Sequence, residues 1–150
     1  MTDYLTPATG KLVGNKFIYP IRVYFEDTDI EGIVYFANYL KFAERARTEF
    51  VRYLGFRQQD NFENGEKKGF VVKHMEIDYK KPATLDDCLN VTVQISKMKN
   101  VSLELVQEIK RQDEILAIVH IKVGYMDFNS GALCKLSPEM LEKFSLASCC

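Results

Sequence analysis

The apolar positions of this chain follow first one period and then another. From Tyr39 they fall at Tyr39, Phe42, Ala43, Ala46, Phe50, Tyr53 and Leu54, in steps of three and four that share one helix face. Gly55 supplies the stop. The other face carries Lys41, Glu44, Arg45, Arg47, Thr48, Glu49 and Arg52, and few polar residues stand near the helix start, which predicts that the start is buried. Ahead of the helix, Ile21, Val23 and Phe25 alternate with Arg22, Tyr24 and Glu26, a strand pattern. Residues 57–69 are polar, contain glycine and keep no period, which predicts a mobile surface connection. The period then becomes two. Met75, Ile77 and Tyr79 make one strand, and Leu89, Val91, Val93 and Ile95 a second. Val101, Leu103 and Leu105 make a third, and the alternating residues from Ile115 to Tyr125 a fourth. Short polar breaks between these strands predict hairpins, so the last four form an antiparallel meander. The order is β-α-β-β-β-β: an α+β domain in which a five-stranded antiparallel sheet covers one long central helix.

Bulk properties narrow the function classes. A chain of 150 residues forms one domain, 1–150, able to bury about 68–70% of its unfolded surface. A formal net charge of −1 gives no electrostatic reason to expect nucleic acid or a membrane surface as partner. The start "MTDYLTPATGKLVGNKF" lacks the basic and apolar regions of a secretory signal, and no segment has the apolar length of a transmembrane span, so a cytoplasmic location is expected. Cys88, Cys134, Cys149 and Cys150 lack zinc spacing and are read as reduced thiols, with "SLASCC" a frayed end.

The stretch "DTDIEGIVYFANYL", residues 27–40, carries the candidate chemistry. Asp27, Asp29, Glu31 and Gly32 match the first half of a calcium loop, but Asn38 stands where a bidentate Glu is needed and a strand pattern replaces the entering helix. No metal is expected. The stretch leads into the helix N-terminus, where unpaired N–H groups and the positive end of the dipole favour negative charge. Asp27 and Asp29 can cap turns there. The same arrangement suits acyl transfer, with N–H donors for an oxyanion and a carboxylate as base or nucleophile. The residues alone leave both open, with Asp27 read as a cap. A phosphatase built on D-x-D is disfavoured, since the strands and helices do not alternate.

The run "VYFEDTDIEGIVYFANYLKFAERARTEFVRYLGF" contains D-x-D, a G-I-V-Y turn, an N-Y pair and E-x-A-R, and is followed by "EIDYKKPATLDD" and "LSPEMLEKF". It resembles the hot-dog-fold acyl-CoA thioesterases of the 4-hydroxybenzoyl-CoA thioesterase and YbgC type, over about residues 17–144. The resemblance implies a hot-dog fold and hydrolysis of acyl-CoA, with Asp29 as the catalytic carboxylate and the backbone N–H of Phe36 on the thioester oxygen. Tyr35, Asn38 and Tyr39 are then candidates for the substrate pocket. Phe36 and Phe25 replace the His and Tyr common in YbgC-type chains, and a Phe at position 36 resembles the aryl-CoA branch. The acyl group is therefore either short and aliphatic or aryl. His74 and His120 lie in strand patterns and are read as structural, and Glu44 as a structural carboxylate paired with Arg47 by helical spacing. Arg57, Lys67, Lys68, Lys80 and Lys81 are candidates for the coenzyme A phosphates. No cofactor is implied beyond coenzyme A as part of the substrate. Acyl carrier protein is a second candidate partner, and a non-catalytic scaffold the competing class. Unpaired sheet edges, together with the resemblance, predict a homodimer doubled to a tetramer, with Asp29 at the subunit boundary.

Overall fold

The computed structural model describes residues 3–7, 9–57, 59, 65 and 67–148. Most of the connection at residues 57–69 and the terminal pair Cys149 and Cys150 lie outside the described residues. The elements run β1 (Lys11–Val13), β2 (Lys16–Arg22), a 3-10 turn (Phe25–Asp27), α1 (Asn38–Tyr53), β3 (Lys68–Tyr79), β4 (Cys88–Met98), β5 (Ser102–Arg111), β6 (Glu114–Asp127), β7 (Ala132–Leu133) and α2 (Pro138–Ser148). The sheet has the order β1-β2-β4-β5-β6-β3, with β7 also paired to β6, and every pairing is antiparallel. This is the expected hot-dog arrangement of sheet and helix, with two short strands and a C-terminal helix added.

The predicted apolar stripe forms the inner face of α1. Phe42, Ala43, Ala46 and Phe50 are buried in one core cluster with Phe17, Leu89, Val91, Leu105 and Ile109 from the sheet. Burying a phenylalanine contributes roughly 1.5–3 kcal/mol, so this stripe anchors the helix firmly. Gly55, at φ +100°, then takes the left-handed conformation that ends the helix.

Four expectations are corrected. The strand read through Phe25 stops at Arg22, because the Asp27 carboxylate accepts the Tyr24 N–H at 2.8 Å and closes a 3-10 turn. The last four strands are not one meander: β4, β5 and β6 are, but β3 pairs with β6 at the far edge, from Lys68↔Asp127 to Tyr79↔Ala117. The connection at residues 80–87 is a crossover rather than a hairpin. Pro82 has no N–H to continue a ladder, and the flanking residues bond elsewhere, Lys80 and Lys81 to the Leu116 carbonyl and Asp86 to the Val23 carbonyl. The strand read from Met75 also begins earlier than its period suggests, since β3 runs from Lys68. Finally, the C-terminal helix was not expected, although Ser137 caps it by accepting the Met140 N–H at 3.1 Å. Its Phe144 is fully buried against the rings of Phe50, Phe56 and Phe70. Among the described residues no helix is long and apolar enough to cross a membrane.

Candidate active site

The loop between the 3-10 turn and α1 is folded by its own short polar side chains. Asp29 Oδ1 accepts the Glu31 N–H at 2.9 Å, its carbonyl accepts the Gly32 N–H at 3.0 Å, and its N–H donates to the Ile33 carbonyl at 2.8 Å. Gly32 adopts φ +80°, a conformation that favours glycine and lets the chain turn back on itself. Thr28 then bridges Val34, and Ile33 bridges Thr84 of the crossover. Asp29 is left half-buried, its second carboxylate oxygen free of hydrogen bonds among the described residues. Asp27 is buried, and its carboxylate closes the 3-10 turn. The two acids that begin like a calcium loop are thus committed to neighbouring N–H groups. Among the described residues no group of three or more His, Cys, Asp or Glu is placed to hold a metal ion.

The backbone leading into α1 is held from both sides. Asn38 N–H donates to the Tyr35 carbonyl at 2.8 Å, and Tyr79 Oη donates to the Phe36 carbonyl at 2.9 Å. In a trans peptide N–H and C=O point in opposite directions, so these bonds turn the Phe36 and Ala37 N–H groups away from their partners. Neither N–H finds an acceptor among the described residues. The helix start therefore presents donors and a positive dipole end, and the loop that leads into it carries the half-buried Asp29.

The named pocket candidates divide by exposure. Tyr35 and Phe36 are 46% and 61% exposed, with rings 4.9 Å apart. Asn38 and Tyr39 are buried: Asn38 Nδ2 donates to the Asp27 carbonyl at 2.8 Å, and Tyr39 Oη accepts the Ala83 N–H at 3.0 Å. Burial raises the Tyr39 pKa above the ordinary tyrosine value, although the Ala83 N–H works against it. The predicted burial of the helix start holds for these two residues but not for Phe36 or Leu40.

Glu44 and Arg47 do not pair. Glu44 is exposed and accepts the Thr48 hydroxyl at 3.4 Å, while Arg47 turns under the helix to donate to Gln107 Oε1 at 3.0 Å. Gln107 is fully buried and donates in turn to the Ala43 carbonyl, which clasps α1 to β5. Desolvation lowers the Arg47 pKa, with Glu44 opposing it. His74 and His120 lie exposed on β3 and β6, outside this loop. Of the lysines considered for phosphate, Lys81 is tied to Glu114 at 2.7 Å.

Sequence patterns did not mark Tyr79 or the crossover as part of this region. Residues 81–87 are braced by charges: Arg111 reaches Asp87 at 2.7 Å and Glu114 at 2.6 Å, and Ala83 there receives the Val34 N–H. Partial burial pushes the Asp87 carboxyl up, but the Thr84 N–H, Arg111 and the Thr84 hydroxyl outweigh it and hold it below the usual range.

An antiparallel sheet packed against one long helix, with an acidic loop leading into that helix, is a hot-dog architecture. Residues 23–144 match the profile of the thioesterase-like superfamily, and the chain belongs to that family. It is 43% identical over 116 residues to the acyl-CoA thioesterase YbgC of Haemophilus influenzae, covering 77% of this chain and 85% of that protein. A probable thioesterase from Bartonella henselae superposes with a TM-score of 0.75 at 34% identity, over 80% of this chain and 98% of that one. A gentisyl-coenzyme A thioesterase superposes with a TM-score of 0.77 at 28% identity, over 85% and 98% of the two chains.

Proposed function

We propose that this protein is a cytoplasmic enzyme that hydrolyses short-chain acyl-CoA thioesters to the free acid and coenzyme A. The observation that carries this reading is a half-buried Asp29 with one carboxylate oxygen unbonded, in the loop that leads to a helix start whose Phe36 N–H has no acceptor among the described residues. Asp29 takes a proton from water as the water oxygen attacks the thioester carbon. The Phe36 N–H and the helix dipole stabilise the oxyanion, a kind of contact whose loss costs about 10²–10³ in turnover elsewhere. When the C–S bond breaks, the proton returns to the leaving sulfur, so acid and thiol account for the added water. Direct attack by Asp29 on the carbonyl, followed by hydrolysis of the anhydride, gives the same products. The similarity to YbgC supports acyl-CoA as the substrate class.

The site is open in a single chain. Ile30 is fully exposed, and Phe36, Tyr35 and Leu40 present further apolar surface near it. Among the described residues the edge of β3 that faces away from β6 has no partner strand. Both features support a homodimer, doubled to a tetramer, with Asp29 at the boundary. The exposed rings of Tyr35, Phe36 and Tyr79 favour one second reading, an aryl-CoA substrate.

A panel of aliphatic and aryl thioesters of coenzyme A and acyl carrier protein, assayed by thiol release in excess chelator, tests the proposal. Fast turnover of short aliphatic esters is expected, from a species that sediments above monomer mass. Preference for benzoyl-type esters would select the second reading. An active monomer would refute the shared boundary, and no turnover of any ester would leave a scaffold.

A further inference from the structure

We infer that Tyr79 is a positioning residue for the oxyanion site, a role that rests on the proposed part of the Phe36 N–H. Tyr79 ends β3, far from the loop in sequence, yet its hydroxyl donates to the Phe36 carbonyl at 2.9 Å across 43 residues. That carbonyl is one residue before α1 and receives no helical N–H: Leu40 donates instead to the Ala37 carbonyl at 3.2 Å. The Phe36 carbonyl therefore depends on Tyr79 for its direction. On the other side of Phe36, the Tyr35 carbonyl is fixed by the Asn38 N–H. The backbone of the donor residue is thus clamped at both of its peptides, one by the chain's own turn and one by Tyr79.

The bond also acts electronically. The Phe36 carbonyl and the Ala37 N–H belong to one peptide group, so the bond polarises the Ala37 N–H, the next donor along the helix start, and acts on the Phe36 N–H only by fixing the residue between the two peptides. Tyr79 is itself held in place, its ring packed edge-on against Tyr39 at 5.4 Å and Phe36 at 6.4 Å. Desolvation, with Tyr39 adding to it, raises the Tyr79 pKa above the ordinary tyrosine value, in line with a hydroxyl that is a donor at neutral pH in any case. Electrostatic stabilisation of an oxyanion depends on donors fixed before the reaction, so releasing one peptide lowers the rate of the chemical step without removing the substrate's binding surface.

The test is Tyr79→Phe, which keeps the ring contacts and removes one oxygen from a residue that is 46% exposed, so the fold is retained. On a short-chain acyl-CoA, kcat should fall about tenfold, with KM within about twofold and Tm within a few degrees of wild type. Unchanged kcat, or a raised KM at unchanged kcat, would overturn the role. Asp29→Asn, assayed beside it, separates the two claims. An inactive Asp29→Asn with a fully active Tyr79→Phe removes the Tyr79 role alone. A fully active Asp29→Asn overturns the site and the Tyr79 role together.

Discussion

Asn38 shows how much of the site is held by single polar atoms. Its amide donates to the Asp27 carbonyl, which also receives the Tyr35 N–H at 2.9 Å, so one buried oxygen ties both ends of the acidic loop. Asn38→Ala should leave that oxygen one partner short and cost about 1–2 kcal/mol, a net hydrogen bond with part of its desolvation penalty. For a chain of this size the Tm should fall by roughly 2–4 °C per kcal/mol in thermal melts. An unchanged Tm would mean that the loop is held by its backbone bonds alone. The acids of this loop were legible in the sequence because spacing and turn chemistry are local. Asp27 reads as a cap, and it is one. The partners of Phe36 and Tyr39 were not legible, since Tyr79 and Ala83 reach them from β3 and the crossover, and a period-two pattern gives a strand residue a face but no partner.

Among the elements, the crossover at residues 80–87 controls the most. It carries the Ala83 backbone that receives Val34 N–H and donates to Tyr39, and Arg111 braces it through Asp87 and the Pro82 carbonyl at 3.4 Å. Hydrogen bonds from Lys81 and then Arg111 hold the Glu114 carboxyl below its usual range, as Thr84 and Arg111 do for Asp87. A carboxyl whose folded pKa is depressed contributes stability that is present above its unfolded value, about 4, and lost as pH falls towards the folded one. Arg111→Met should therefore lower Tm most near pH 7, and the gap to wild type should close below about pH 4. A gap that stays constant across that range would assign the effect to packing. Helix α1 was legible end to end because its stripe is long and Gly55 stops it. The strand expected at Met75, Ile77 and Tyr79 was placed but paired wrongly, because short connections favour hairpins and Pro82 gave the only local sign against one. Helix α2 was missed although Ser137 and Pro138 mark its start and Met140, Phe144 and Ala147 share its buried face.

For the whole molecule, two helices against one sheet leave two kinds of open surface: the edge of β3 that is unpaired among the described residues, and the apolar residues Ile30, Tyr35, Phe36 and Leu40 around the site. Two-layer architecture was legible from the order of periods, whereas the position of β3 at the sheet edge depends on contacts separated by dozens of residues. The candidate site joins these scales, since the carboxylate comes from a local turn, the donors from a helix start, and their bracing from the opposite end of the sheet. In the proposed mechanism Asp29 performs the chemistry. Asn at this position keeps an Oδ1 that accepts the Glu31 N–H, so the loop should fold as before while the charge is lost. The most direct measurement is kcat/KM for acyl-CoA hydrolysis by wild type and Asp29→Asn, with Tm recorded for both. The expected result is an unchanged Tm and a loss of more than about tenfold, which is at least about 1.4 kcal/mol of transition-state stabilisation. A folded Asp29→Asn protein that keeps more than about a tenth of wild-type turnover would contradict the claim.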